Sequence, residues 1–166
     1  MGDKPDLYLR LLGPVALLEP DASVVEFSAI QSKLLSRLAI SAPQPVGLDA
    51  LVEAVWGTNP PASARQSIQN QISRIRTRTD HDVIATQGGG YVLGVSTDVI
   101  LMHGASLEAE RLLHTGDAEG AFAAADTALG LWHGEPAADI ESMNGLVAFR
   151  YSVHASRELI EILRLE

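Results

Sequence analysis

Cysteine is absent from the 166-residue sequence, and aromatic residues make up only 5% of it. The missing cysteines exclude disulfides and thiolate zinc sites, which suits a reducing cytoplasm. No apolar run reaches the roughly 18 residues that a membrane-spanning helix needs. The start, residues 1–6, lacks the basic segment and the apolar run of a signal peptide. We therefore expect a cytoplasmic protein that does not contact a membrane.

Patterns typical of catalysis and metal binding are also missing. No two of the five histidines stand four residues apart, and none has a cysteine partner, so we expect no metal site. These histidines are His81, His103, His114, His133 and His154. The triplet Gly88–Gly90 is not followed by the Lys-Ser or Lys-Thr of a phosphate loop. With no nucleophile, base and acid set in view, the sequence predicts neither an enzyme nor a cofactor.

Negative charge prevails but is unevenly distributed along the chain. The formal net charge is −9. Residues 1–98 carry 8 basic and 10 acidic groups, whereas residues 99–166 carry 4 and 11. The acidity therefore belongs mainly to the second half, and it leaves the first half close to neutral. We expect modest non-specific affinity for nucleic acid, because few counterions would be released on binding.

The segment 62–79 carries four arginines and no acidic residue. At 100° per residue, its apolar side chains fall within about 80° of one another and predict a helix that docks on a core through one stripe. That stripe consists of Ala64, Ile68, Ile72 and Ile75. A basic amphipathic helix of this kind points to a nucleic-acid partner when a small hairpin stands beside it.

The other face of this helix carries side chains that hydrogen-bond DNA. Arginine suits guanine, glutamine and asparagine suit adenine, and serine and threonine suit either. The candidate DNA-binding residues are Ser63, Arg65, Gln66, Gln69, Asn70, Ser73, Arg74, Arg76, Thr77, Arg78 and Gln87. Those that we expect to reach base edges are Gln66, Asn70, Ser73 and Arg74. Those that we expect to hold phosphates are Arg65, Arg76 and Arg78.

The elements around this helix predict a winged helix-turn-helix of the α+β class in residues 1–98. Short apolar segments predict three strands of a small N-terminal sheet, at 7–12, 15–18 and 24–27. Two helices are predicted before the basic one, at 28–41 with Ser28 as N-cap, and from Gly47 or Asp49 to 56. We also expect Ser63 to cap the basic helix. A hairpin at 83–95, with its glycine tip within 87–91, completes the pattern as the wing.

Residues 99–166 predict an all-α domain. Helices are expected at 101–115, 118–131 and 144–165, with Asp117 as N-cap of the second one. The small alanines of the second helix allow close packing and favour a tetratricopeptide-like hairpin. For the last helix, the candidate core residues are Leu146, Phe149, Val153 and Leu159. Because the sequence ends inside or just after a helix, we expect this domain to be incomplete.

Six segments, taken in order, resemble one known family. They lie at 9–15, 51–57, 60–65, 72–76, 89–93 and 128–134. The series is similar to the SARP family, the actinobacterial antibiotic regulatory proteins, in which an OmpR-type winged helix precedes a bacterial transcriptional activation domain. The resemblance implies that helix 63–79 is the recognition helix, that residues 87–91 form the wing, and that Trp56 and Tyr91 are packing residues.

The resemblance also implies a function and partners. It implies a transcriptional activator that binds direct repeats in double-stranded promoter DNA as more than one protomer, possible homodimers included, and that recruits RNA polymerase. The alternative is a winged-helix and tetratricopeptide-like interaction module that no longer binds DNA. The net charge favours that alternative, and so do Gln87 and Val92, which stand where the family carries basic wing residues. The four arginines favour DNA, which we expect.

Overall fold

The computed structural model describes residues 7–79 and 82–166. Residues 1–6, on which the prediction of no signal peptide rests, and His81 lie outside these ranges. Within them, no helix is long and apolar enough to cross a bilayer. The same ranges hold no cluster of three or more side chains suited to bind a metal ion.

The part of the chain that the structure describes contains six strands and six helices, joined by turns and loops. The first half contains β1 (Tyr8–Arg10), β2 (Ala16–Leu18), β3 (Val24–Glu26), α1 (Ala29–Ser41), α2 (Leu48–Trp56), α3 (Ala64–Thr79), β4 (Ile84–Gln87) and β5 (Gly90–Leu93). Strand β6 (Ser96–Thr97) closes the first half, and the second half contains α4 (Asp98–His114), α5 (Ala118–Leu129) and α6 (Leu146–Leu165).

A four-stranded sheet with the order β3-β2-β1-β6 opens the fold. The first three strands form an antiparallel meander, and β6 pairs with β1 in parallel. The hairpin of β4 and β5 stands apart as a second sheet. The predicted three strands and the hairpin are confirmed, whereas β6 was not predicted. A strand of two residues, Ser96 and Thr97, has no sequence pattern of its own, and pairing with β1 defines it.

The core of the first half forms where α1, α2 and α3 pack on one another and on the sheet. Ser28 caps α1 as predicted. Its hydroxyl accepts from the backbone N–H of Gln31 at 3.3 Å, and the side-chain oxygen of Gln31 accepts from the backbone N–H of Ser28 at 3.1 Å. The predicted stripe of α3 is confirmed, because all four of its members are buried: Ala64, Ile68, Ile72 and Ile75. The side of α3 opposite this stripe therefore faces solvent.

The helical half is built on the hairpin of α4 and α5, against which α6 packs. Asp117 caps α5 as predicted, accepting from the Gly120 amide at 2.8 Å. Helix α5 can approach its neighbouring helices closely, since the residues it buries completely are the small Ala121, Ala125 and Ala128. Helix α4 begins at Asp98 rather than 101, since the Thr97 hydroxyl caps it at the Ile100 amide. Helix α5 ends at 129 rather than 131.

One prediction for α6 is wrong. Leu159, expected in the core, is 63% exposed. Leu146 and Val153 are buried as predicted, and Phe149 is partly buried. The third buried position is Ile160, so the buried residues recur every seven positions and lie along one side of the helix. Leu159 is rotated about 100° from Ile160 and therefore faces away from that side.

A buried carboxylate joins the two halves. The Oδ1 and Oδ2 atoms of Asp98, the first residue of α4, accept from the amides of Leu11 and Leu12 at 2.8 and 3.0 Å. Burial outweighs these hydrogen bonds and raises the pKa of Asp98 to about 6. The amino end of α4 is thereby fixed to the residues that follow β1.

The connection between α5 and α6 packs on the turn between β1 and β2. The amides of His133 and Ala137 donate to the carbonyls of Leu12 and Leu11 at 2.7 and 2.8 Å. Asp139 accepts from the Val15 amide at 2.9 Å and from the hydroxyl of Ser32 in α1. The helical half therefore contacts both the sheet and the first helix of the winged half.

Candidate nucleic-acid interface

The exposed face of α3 gathers most of the residues that the sequence nominates. At 100° per residue it spans about 140° of the helix surface. The exposed members are Gln66, Gln69, Asn70, Ser73, Arg74 and Thr77. We call these six residues the polar face of α3. Because the opposite stripe is buried in the core, the helix presents this face outward along its whole length.

Two amides of the polar face are joined to each other. Gln66 Nε2 donates to Asn70 Oδ1 at 3.1 Å, one helical turn away. This bond leaves free the side-chain oxygen of Gln66, Oε1, which is an acceptor, and the side-chain nitrogen of Asn70, Nδ2, which is a donor. The Thr77 hydroxyl donates to the Ser73 carbonyl at 3.0 Å, so it can still accept from a ligand.

The four arginines of α3 differ in their surroundings. Arg74 is exposed and forms no hydrogen bond or ion pair with any residue within 7–79 and 82–166. Arg65 forms an ion pair with Asp49 of α2, and their side chains are 63% and 88% exposed. A pair so exposed contributes little and opens at small cost when a phosphate competes. Both guanidinium groups are therefore available to a ligand.

Arg76 is bound to the hairpin. Its Nε donates to the Ile84 carbonyl at 2.9 Å and its Nη2 to the Thr86 hydroxyl at 3.1 Å. Its guanidinium also lies 5.9 Å from the centre of the Tyr91 ring, within the range of a cation–π contact. One side chain thus holds α3 against both strands of the wing.

Arg78 is bound to the other side of the domain. Its Nη2 donates to the Glu26 carbonyl at 2.8 Å and its Nη1 to Gln31 Oε1 at 3.2 Å. The guanidinium lies 5.8 Å from the centre of the Phe27 ring. An arginine has five N–H donors, so these bonds leave others free for a phosphate but fix where the group stands.

The hairpin beside α3 turns tightly. Gly88 and Gly89 have positive φ angles of 56° and 77°, the backbone of a two-residue turn in which both central residues are left-handed. Gly90 already belongs to β5, so the tip is shorter than the predicted glycine triplet. Gln87, the last residue of β4, is exposed at this tip. The wing therefore stands next to α3, as predicted, with an uncharged end.

A backbone bridge secures the hairpin from the other side. The amide and carbonyl of Val46 pair with those of Tyr91 at 2.8 and 3.0 Å.

Ser63 lies before the first turn of α3, where its carbonyl accepts from the Ser67 amide at 2.9 Å. Trp56 and Tyr91 are partly buried against the core, which agrees with a packing role.

Sequence reasoning missed the partners of the arginines and of the hairpin. The acceptors at Glu26 and Ile84, and the bridge at Val46, are backbone atoms. A pattern of side chains cannot predict which backbone carbonyl will accept, since every residue has one. The run of arginines showed that the segment is basic but not which guanidinium groups the fold would occupy.

Two families match consecutive parts of the chain. Residues 22–93 match the family described as transcriptional regulatory protein, C terminal. Residues 97–166 match the bacterial transcriptional activator domain. The first match contains α3 and the wing, and the second contains the three helices that follow.

Relatives among characterised proteins and solved structures are regulatory proteins. Regulatory protein DnrI of Streptomyces peucetius is 31% identical in an alignment 150 residues long, which covers 82% of this chain and 55% of DnrI. Regulatory protein AfsR of Streptomyces griseus is 29% identical over 137 residues, 81% of this chain and 14% of AfsR. The chain thus spans about half the length of DnrI and a small part of AfsR.

A solved structure has a similar fold. It is that of Mycobacterium tuberculosis EmbR in complex with a low-affinity phosphopeptide. The TM-score is 0.86 at 25% identity, over 96% of this chain and 44% of that one. The similarity includes both the winged half and the helical half, because so little of this chain is left unmatched.

Proposed function

We propose that this chain, which belongs to the SARP family of transcriptional regulators, activates transcription by binding promoter DNA through α3. The two matched families are the two parts of the architecture that the sequence resemblance implied, an OmpR-type domain followed by a bacterial transcriptional activator domain. With these domains and relatives, the chain is a regulatory protein and not an enzyme, as predicted.

The polar face of α3 carries the proposal. It combines amide, hydroxyl and guanidinium groups on a helix whose opposite side is buried, and the segment 62–79 contains no acid that would repel DNA. A helix of this width fits the major groove, where such side chains reach base edges. Arg65, Arg76 and Arg78 flank this face and would meet phosphates, while Ser63 and Gln87 lie at its start and at the wing tip.

We assign the two halves different roles. Residues 1–98 would bind direct repeats in double-stranded promoter DNA, with more than one protomer, such as a homodimer, on a promoter. Residues 99–166 would contact a neighbouring protomer or RNA polymerase, and their acidic balance suits a surface that does not compete for DNA. A protein with this role works in the cytoplasm, where a bacterial chromosome lies.

Selection of the whole chain against random duplex DNA, followed by sequencing, tests the proposal. We expect a repeated motif to be enriched, and we expect enrichment to vanish in a Gln66→Ala/Arg74→Ala variant. Both side chains are exposed, so the variant should stay folded. Arg111→Ala is the matched control, because it removes an exposed positive charge from α4. Absence of enrichment at low salt would refute sequence-specific DNA binding.

An interaction module is the second candidate, and one observation favours it. Helix α6 exposes large apolar side chains: Val147 is 81% exposed, Tyr151 79% and Leu165 88%. Exposed apolar side chains on one helix are a feature of docking sites on soluble domains when they form a patch. If the chain failed to select any DNA, this face would be the place to look for a protein partner.

A further inference from the structure

We propose that the half-site read by α3 is rich in A·T pairs and contains a single guanine, contacted by Arg74. This inference rests on the proposed function, in which α3 enters the major groove. It concerns the chemistry of the DNA sequence, and it follows from which polar groups of α3 the fold leaves free.

Guanine recognition depends on the arginines. Guanine presents two acceptors, O6 and N7, which a guanidinium group contacts with two parallel bonds. Arg76 and Arg78 donate guanidinium N–H groups to the backbone carbonyls of Ile84 and Glu26. The protein therefore already fixes the orientation of both guanidinium planes. Arg65 lies outside the polar face, next to Asp49. Arg74 alone combines a place on the polar face with the absence of any partner among the described residues.

Adenine recognition follows from the amides. The major-groove edge of adenine offers an acceptor, N7, and a donor, the N6 amino group. Beyond its shared hydrogen bond, the linked pair of Gln66 and Asn70 keeps free amide donors and free carbonyl acceptors, whichever way that bond runs. Gln69 adds a third amide to the same face. Three amides against one arginine favour adenine over guanine.

Cytosine has no dedicated reader on this helix. The side chains best suited to accept from its N4 amino group are those of aspartate and glutamate, and segment 62–79 contains neither. The remaining members of the polar face, Ser73 and Thr77, accept or donate and do not discriminate. A G·C pair is therefore recognised from the guanine side, by Arg74.

The test uses the site that selection returns, with affinities of the whole chain for single-base variants of it. We expect replacement of the one invariant guanine to weaken binding by about 5- to 150-fold, the range for one bidentate pair. Replacement of that guanine by 7-deazaguanine, which removes the N7 acceptor from the DNA alone, should weaken the wild-type chain and leave Arg74→Ala unaffected. This measurement does not depend on how a variant folds.

Two substitutions make the assignment sharper. Arg74→Gln should move the preference at that one position from guanine to adenine, because the amide matches adenine. Arg65→Ala, with the same loss of charge on the same helix, should weaken all sites alike. A selected half-site rich in G·C pairs, or a guanine preference that survives in Arg74→Gln, would overturn the inference while DNA binding stands. Failure to select any sequence would overturn both.

Discussion

Arg76 Nε donates to the Ile84 carbonyl at 2.9 Å, and this bond fastens the proposed recognition helix to the first strand of the wing. The same guanidinium reaches the Thr86 hydroxyl and the face of Tyr91, which belong to the two strands of the hairpin. Helix and wing, two elements that would approach DNA from different directions, are thus held at a fixed spacing by one side chain.

Arg76→Ala should therefore affect both stability and binding. Losing a partly buried, charge-assisted hydrogen bond to a carbonyl should lower the free energy of unfolding by about 1–3 kcal/mol. Affinity for all DNA sequences should fall together, because the wing loses its support and the surface loses a charge. Urea unfolding measures the first effect, and titration of selected and random duplexes measures the second.

Arg76→Lys separates geometry from charge. A lysine keeps the positive charge but cannot offer the planar fork that spans Ile84 and Thr86. We expect it to restore the salt dependence of binding and not the stability. A lysine variant as stable as the wild type would contradict the structural role of this arginine.

Arg78→Ala should reduce the number of counterions released on binding. The guanidinium is held at the edge of α3 with donors to spare, close to where a phosphate would lie. We expect similar losses of affinity on every sequence and a logarithmic salt slope smaller by about one unit. Fluorescence titrations between low and moderate salt measure the slope, with Arg111→Ala, which should leave it unchanged, as control.

Gly90→Ala should destabilise the hairpin. A Cβ atom at this position would stand 2.7 Å from the Val46 carbonyl oxygen, a backbone atom that cannot move without breaking the bridge to Tyr91. We expect a loss of about 1–3 kcal/mol, typical of overpacking. Gly104→Ala is the matched control, since this exposed residue in the middle of α4 has free space around it. It should stabilise the chain by up to about 1 kcal/mol.

Asp98 should make stability fall as the pH rises from about 4 to about 6. Burial raises its pKa from 3.8 to about 6 in the folded chain, so in this window the folded state holds a proton that the unfolded state has released. Proton binding to the folded state alone stabilises it at the lower pH. The contribution amounts to roughly 3 kcal/mol at most.

Comparison with Asp98→Asn isolates this effect from other titrating groups. The free energy of unfolding of the wild type minus that of the variant should decrease between about pH 4 and pH 6 and be constant above. Glu141→Gln, which removes an exposed carboxylate, is the control. A difference that is flat or that increases with pH would show that burial does not raise the pKa of Asp98.

The elements that sequence analysis predicted are those with a local cause. Ser28 followed by Gln31 forms a capping box wherever such a helix begins, and the stripe from Ala64 to Ile75 defines the buried side of α3 without knowledge of what covers it. The polar face follows as the complement of that stripe. The roles of its members at DNA stay predictions.

The features that could not be predicted arise from contacts between distant segments. Strand β6 is recognisable only beside β1, and the partners of Asp98 are amides 87 and 86 residues away. Leu159 was misplaced for a related reason, since the phase of an amphipathic helix depends on where its core neighbours lie. In α6, two apolar positions side by side, 159 and 160, left that phase ambiguous.

The direct passage from β6 into α4 has a consequence for spacing on a promoter. Strand β6 ends at Thr97 and α4 begins at Asp98, so no linker separates the unit that would face DNA from the helices behind it. Where two protomers occupy adjacent repeats, inserting about five base pairs between the repeats turns one protomer to the opposite side of the duplex. Its helices turn with it. A tethered module could swing back to meet its neighbour, whereas here the phase of the double helix decides whether the helical halves meet.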